Sequence, residues 1–187
     1  TDKTYQAGAP VPGGVFDSRF GVIENGKVCP TCKQTNMLCP GHFGHITLAR
    51  PVYLYQFLDT IQKILQNICL TCSNPYLPDE ELEKIEKIQT GMDRFNAVRE
   101  KTANYKTKEL KASSTCPHCE SPLLKKAEKA EGTVASLEGV TYDEEADKIP
   151  IQPEMVLRCF QRISDRHVEL LGFNPKFSRP DWMVCTV

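Results

Sequence analysis

The sequence predicts a small α+β fold of irregular loops, short strands and about three to four helices, stapled at clusters of cysteine. Three observations predict it. Six of the nine cysteines form Cys-x2-Cys pairs, and a seventh opens a Cys-x2-His. Apolar residues recur at three- and four-residue spacing in separate stretches, the mark of amphipathic helices. The first 28 residues are rich in Gly and Pro, which disfavour regular structure. The chain has 187 residues, a hydrophobic fraction of 40% and a formal net charge of −1. That length allows one or two small domains whose core needs help from cross-links. The near-zero charge neither requires nor excludes nucleic acid, because local patches outweigh the sum. No apolar run approaches the ~18 residues that span a bilayer, and no signal peptide is visible.

Residues 1–28 read as extended segments and turns, with Asn25-Gly26 as a tight turn. After the cysteine-rich run 29–45, the segment ITLARPV is strand-like. A helix is expected from about Leu54 to Asn67, with Leu54, Phe57, Leu58, Ile61, Leu65 and Ile68 as its stripe. A second is expected after Pro78, with Asp79 as N-cap and Leu82, Ile85, Ile88, Met92 and Phe95 as its stripe. Arg99 to Lys111 reads as helical or coiled and basic. EGTVASLEGVTY and ADKIPI read as short strands around the acidic turn Asp143 to Asp147. A third helix is expected from Pro153 or Glu154, with Val156, Leu157, Phe160, Ile163, Val168 and Leu171 inward and Gly172 as its C-cap glycine.

The odd cysteine count and the two-residue spacing argue against disulfides and for metal thiolates in a reducing compartment. A Cys-x2-Cys turn aims two thiolates at one point, as tetrahedral zinc requires. The first candidate site is Cys29, Cys32, Cys39 and His42, with His45 as the weaker fourth ligand and Gly41 easing the tight backbone. The second is Cys69, Cys72, Cys116 and Cys119, two pairs separated by a long helical excursion, with His118 a bystander. Four protein ligands leave no open position for water, so both sites are structural rather than hydrolytic. Cys159 and Cys185 read as small buried hydrophobes. A buried thiol pair or a redox pair is the competing reading of any single Cys-x2-Cys.

The stretch DSRFGVIENGKVCPTCKQTNMLCPGHFGHITLARPVY resembles the N-terminal region of the largest subunit of multisubunit DNA-directed RNA polymerases. The resemblance is carried by Arg19-Phe20-Gly21, the first Cys-x2-Cys, CPGHFGHI from Cys39 to Ile46, and Ala49-Arg50-Pro51-Val52. Ser178-Arg179-Pro180-Asp181-Trp182-Met183 matches the family's Ser-Arg-Pro-Glu-Trp-Met, so the resemblance covers roughly 10–187. Phe20 stands for the usual leucine and Asp181 for the usual glutamate. The middle, about Pro75 to Pro150, matches only in outline, and the compact CPHC looks more like archaeal or large-DNA-virus versions.

The resemblance implies the start of the clamp, a mobile module that closes over DNA and the RNA–DNA hybrid. It implies an extended N-terminal segment over 1–28, a first zinc loop over 29–52, and a clamp head with the second zinc site over 53–150. Residues 151–187 would then return to the clamp base in a chain that continues further. It implies two structural zinc ions, with magnesium only in the rest of the subunit, because the family's NADFDGD loop does not occur here. The chain would contribute to a nucleotidyltransferase without carrying its catalytic residues. The partners implied are the second-largest subunit, the remainder of the largest subunit, DNA, the RNA–DNA hybrid and clamp-binding transcription factors, with no membrane. The compartment implied is the nucleus for a cellular eukaryote, and the cytoplasm or virion for a virus.

A basic face would supply attraction to phosphates. Its candidates are Lys101, Lys106, Lys108 and Lys111, flanked by Arg99, Lys125, Lys126 and Lys129, with Tyr105 among them. The interspersed Glu100, Glu109 and Glu128 fit an ordinary solvated face equally well. Trp182, the only tryptophan, is expected as a core anchor against the helix 154–171, while Arg179 is expected to meet either a carboxylate or nucleic acid. A free-standing zinc-binding adaptor is the alternative to the polymerase reading. A redox or metal-storage protein is a third, which would not need the residues of CPGHFGHI around its thiols.

Overall fold

A computed structural model of the chain describes residues 3–110, 114–130, 136–142 and 148–187. The chain divides into two compact units, Thr1–Ala49 and Arg50–Thr186.

The first unit opens with a short hairpin, β1 (Tyr5–Gln6) against β2 (Ala9–Pro10), turned through Ala7 and Gly8 with positive φ at both. A 3-10 turn over Ser18–Phe20 follows, then the cysteine-rich loop. Among its described residues Cys29 is the one buried apolar side chain, while Ile23, Met37, Leu38 and Phe43 are exposed. A segment with so little apolar burial needs hydrogen bonds and cross-links to stay folded.

The second unit has an ordinary core. A 3-10 turn over Tyr55–Phe57 leads into α1 (Leu58–Leu65), whose Leu58, Ile61, Ile64 and Leu65 are buried. Each such side chain contributes on the order of 1.5–3 kcal/mol on burial. The helix is shorter than expected. ITLARPV is not a strand apart from its end, where β3 (Val52–Tyr53) pairs antiparallel with β7 (Val184–Cys185). The expected second helix is two, α2 (Asp79–Glu86) and α3 (Gly91–Tyr105), and α3 runs on as a π turn over Lys106–Leu110. Pro78, not Asp79, takes the N-cap position of α2, and Asp79 is an acid in the first turn that also pairs with Arg166 at 3.1 Å. The break after α2 turns Met92 outward.

A three-stranded antiparallel sheet follows: β4 (Leu124–Lys129), β5 (Leu137–Thr141) and β6 (Ile149–Ile151), in that spatial order. The expected acidic turn 143–147 and the start of the strand segment before 136 lie outside the described residues. The Tyr53 hydroxyl donates to the carbonyl of Ile151 at 2.7 Å, joining the β3 segment to this sheet.

The expected third helix is also two, α4 (Pro153–Gln161) and α5 (Asp165–Leu170), because Ser164 caps α5 by accepting from the His167 N–H. Gly172, at φ +82°, ends α5 as foreseen. Its N–H bonds the Glu169 carbonyl and that of Phe173 bonds Val168, a complete Schellman motif. Arg179 pairs with Asp165 at 2.5 Å and donates to the Ile163 carbonyl at 2.6 Å, so it meets a carboxylate, one of its two expected partners. Trp182 departs from its expected core role. It is 45% exposed and meets Phe57 edge-on, with ring centroids 4.6 Å apart.

Candidate metal centres

Three of the four ligand pairs are built on one backbone pattern. In each, the first cysteine's N–H bonds the carbonyl five residues on, and its own carbonyl accepts from the N–H four residues on. The bonds are Cys29 to Gln34 and Lys33 to Cys29, Cys69 to Asn74 and Ser73 to Cys69, and Cys116 to Ser121 and Glu120 to Cys116, all 2.8–2.9 Å. Lys33, Ser73 and Glu120 occupy the left-handed region at φ +57° to +63°, reversing the chain at the same step. Isolated bridges Val28–Thr35, Ile68–Pro75 and Thr115–Pro122 close each loop. The turn points backbone N–H groups inward at the sulfurs, which favours thiolate over thiol.

The donor atoms of Cys29, Cys32, Cys39 and His42 all lie within 4.8 Å of one another, and so do those of Cys69, Cys72, Cys116 and Cys119. His45 and His118 belong to neither group. A tetrahedral ion with ~2.3 Å bonds to sulfur has S···S edges of ~3.8 Å, and with ~2.1 Å to nitrogen an S···N edge of ~3.6 Å. The separations are 3.6 Å for Cys39 Sγ to His42 Nε2, 3.6 Å for Cys69 to Cys119, and 3.8 Å for Cys72 to Cys116. Both donor sets could therefore hold a metal ion of zinc's size and ligand taste. The φ of Gly41 is positive, at +80°, as the tight backbone there requires.

The thiols are unequal. Burial alone would raise Cys29, but the N–H groups of Cys32 and Thr31 and the neighbouring thiols bring it down to about 6. Burial likewise opposes Cys119, yet the Ser121 hydroxyl and N–H with the sulfurs of Cys69 and Cys116 bring it to about 6. Burial pushes Cys116 up to about 12. Within each group the surroundings favour the thiolate at one cysteine, Cys29 or Cys119, and disfavour it at another, Cys32 or Cys116.

Three supporting side chains were not foreseen. Ser121 Oγ lies 3.1 Å from Cys119 Sγ and 3.3 Å from Cys69 Sγ. Cys159, fully buried on α4, accepts from Ser73 and donates to the Cys69 carbonyl, tying that helix to the knuckle. His118 donates from Nε2 to the Pro75 carbonyl at 3.0 Å, so the supposed bystander bridges two knuckles. The signal for Ser121 was its place two residues past Cys119. Nothing local marked the other two.

The basic candidates do not form one face. Lys106 is corrected outright: it is 5% exposed, donates to the carbonyls of Gln66 and Leu124 at 2.7 Å each, and cannot present its charge to a phosphate. Lys101 pairs with Glu81, Lys126 with Glu128 and Lys129 with Asp59. Tyr105 is partly buried against both apolar clusters. Lys108 is exposed, with no carboxylate within 4.0 Å among the described residues, and Lys111 lies outside them. No described helix is long and apolar enough to cross a membrane.

Two donor sets of four protein side chains each could hold metal ions with no position left open, the arrangement of a structural rather than a hydrolytic site. The whole chain, residues 1–187, matches the family described as RNA polymerase Rpb1, domain 1. The chain belongs to that family, the N-terminal region of the largest RNA polymerase subunit. It is 39% identical over 194 residues to DNA-directed RNA polymerase subunit Rpo1N of Methanocaldococcus jannaschii, 37% over 189 to that of Thermococcus celer, and 34% over 192 to that of Sulfolobus acidocaldarius. Each alignment covers 100% of this chain but only 14%, 20% and 21% of the relative. The chain thus spans about a fifth or less of the length of these curated relatives.

Proposed function

We propose that this chain is the start of the clamp of a DNA-directed RNA polymerase, and that it carries two structural zinc ions. Cys29, Cys32, Cys39 and His42 would hold one, and Cys69, Cys72, Cys116 and Cys119 the other. The observation that carries the reading is that the family match runs from end to end of a chain with two donor sets at tetrahedral spacing. Bound zinc supplies closure that the first unit's apolar residues do not. A module that must move as a body without deforming gains from such staples.

On this reading the chain serves a nucleotidyltransferase without supplying the reacting groups. No NADFDGD occurs in it, and the catalytic magnesium would sit in the rest of the subunit. The second-largest subunit, the remainder of the largest subunit, clamp-binding factors, DNA and the RNA–DNA hybrid are its proposed partners, in the compartment where the enzyme works. Of the basic residues, Lys108 is the best placed for a phosphate, with Lys101 available once released from Glu81.

The test is DNA retention by the assembled enzyme carrying Lys108→Glu with Lys101→Glu. Weaker retention, with the slope of log affinity against log salt reduced by roughly 0.9 per lost phosphate contact, supports the clamp reading. Unchanged retention at every salt concentration counts against a nucleic-acid role for Lys108 and Lys101.

A further inference from the structure

Three of the four ligand pairs close on themselves, but Cys39-x2-His42 does not. Among the described residues it makes none of the paired knuckle bonds. Its closure comes from a turn some twenty residues earlier in the chain. The His42 N–H donates to the Phe20 carbonyl at 2.7 Å. The Thr31 hydroxyl donates to the Arg19 carbonyl at 2.8 Å, and Cys29 Sγ lies 3.8 Å from the Ser18 carbonyl. Three consecutive carbonyls, 18 to 20, therefore face three residues of the first donor set's loop. The Cys29 contact is that of a thiol and disappears once the sulfur is a ligand, whereas the other two persist.

The contact continues past the turn. A Cβ on Gly21 would stand 3.2 Å from Gly41 Cα and 3.5 Å from Cys39 Sγ. The Phe20 ring occupies the space of a Cβ on Gly44, with a nearest approach of 2.0 Å. The turn itself hangs on Asp17, which is 5% exposed. Its carboxylate accepts from the Gly13 N–H at 2.6 Å, from the Arg19 N–H at 2.9 Å, and from Arg19 Nε and Nη2 at 3.0 and 2.5 Å.

We propose that Asp17 is a positioning residue for the first metal centre: it holds the turn whose Phe20 carbonyl brings His42 to the ion and whose Arg19 carbonyl braces the Cys29-x2-Cys32 loop through Thr31. This rests on the reading of both donor sets as metal centres. Occupancy of the first set, three cysteines and a histidine, then depends on Asp17, and occupancy of the second, all-cysteine set does not. Arg19-Phe20-Gly21 acquires a physical role as the missing brace of the fourth ligand pair.

The experiment loads the full chain with cobalt(II), whose visible bands differ between mixed cysteine–histidine and all-cysteine coordination, and titrates each centre against a chelator. Asp17→Ala should weaken the mixed centre by about 10–100-fold, the usual cost of losing an outer-shell partner. Asp17→Asn, which keeps an acceptor for the Arg19 N–H, should recover part of that loss. Thr31→Val changes one exposed contact without threatening the fold, and should weaken the same centre by about 2–10-fold, one hydrogen bond's worth. The all-cysteine bands should stay at wild-type affinity in Thr31→Val. The proposal is overturned if both Asp17→Ala and Thr31→Val leave the mixed centre unchanged, or if Thr31→Val lowers both centres equally. A wild-type chain with all-cysteine bands but no mixed-centre bands overturns the underlying reading as well, and is recognised without any variant.

Discussion

The ammonium of Lys106 lies 4.2 Å from the ring centroid of Tyr76, inside the second unit. It joins three pieces of chain that converge beside the second donor set: Gln66 at the end of α1, Leu124 at the start of β4, and its own π turn. A buried cation with two carbonyls and an aromatic face is satisfied in place.

Replacing it with methionine keeps the bulk and strands two buried carbonyls. Lys106→Met should destabilise the chain by about 2–3 kcal/mol, measured by denaturant unfolding, with no direct loss of DNA contacts.

The same residue sets a pH dependence. Burial pushes its pKa down to about 7, with the Cys69 sulfur pulling weakly the other way. An unfolded lysine titrates near ~10.4. Between those values the unfolded chain binds more protons than the folded one, so this group makes stability rise with pH from about 7 upward. Thermal unfolding from pH 7 to 9 should show that rise, and Lys106→Met should remove its share of the slope.

Much of this was legible in the sequence, and the part that was not has particular causes. The clustering of six of the eight side chains was readable because a two-residue spacing and a reversing turn leave thiolates little choice of direction, and Cys39 and His42 were readable from the same spacing alone. The charge of Lys106 suggests a surface position, but its spacing does not: Phe95, Val98, Thr102 and Lys106 follow one helical stripe, and all four are buried. β4 was missed because LKKAEK breaks strict alternation. Leu124 and Ala127 both point inward, made possible by a register shift between Leu124 and Lys126. The break between α4 and α5 carried a readable N-cap at Ser164, hidden under a continuous apolar period. The π turn and the turn over Ser18–Phe20 are set by distant partners, which no local pattern announces.

Gly172 and Gly91 meet backbone to backbone where α5 ends and α3 begins. A Cβ on Gly172 would lie 2.6 Å from the Gly91 carbonyl oxygen, on a residue already at φ +82°. Gly172→Ala should cost about 1–3 kcal/mol, read from the shift in the urea midpoint at unchanged slope.

Trp182, half exposed against Phe57, should behave as a surface clasp. Trp182→Ala is expected to cost about 1–2 kcal/mol, less than the 3–5 kcal/mol of a fully buried tryptophan. As the sole tryptophan, its fluorescence in the folded chain should be quenched by added acrylamide to an intermediate degree.

Two donor sets of fixed composition should close around two ions. Elemental analysis of the purified chain, with X-ray absorption at the zinc edge, tests it most directly. The expected result is about two zinc per chain, four-coordinate, with mostly sulfur at ~2.3 Å and a minor nitrogen contribution. A folded chain free of metal, or one zinc with an oxygen-rich shell, would contradict it.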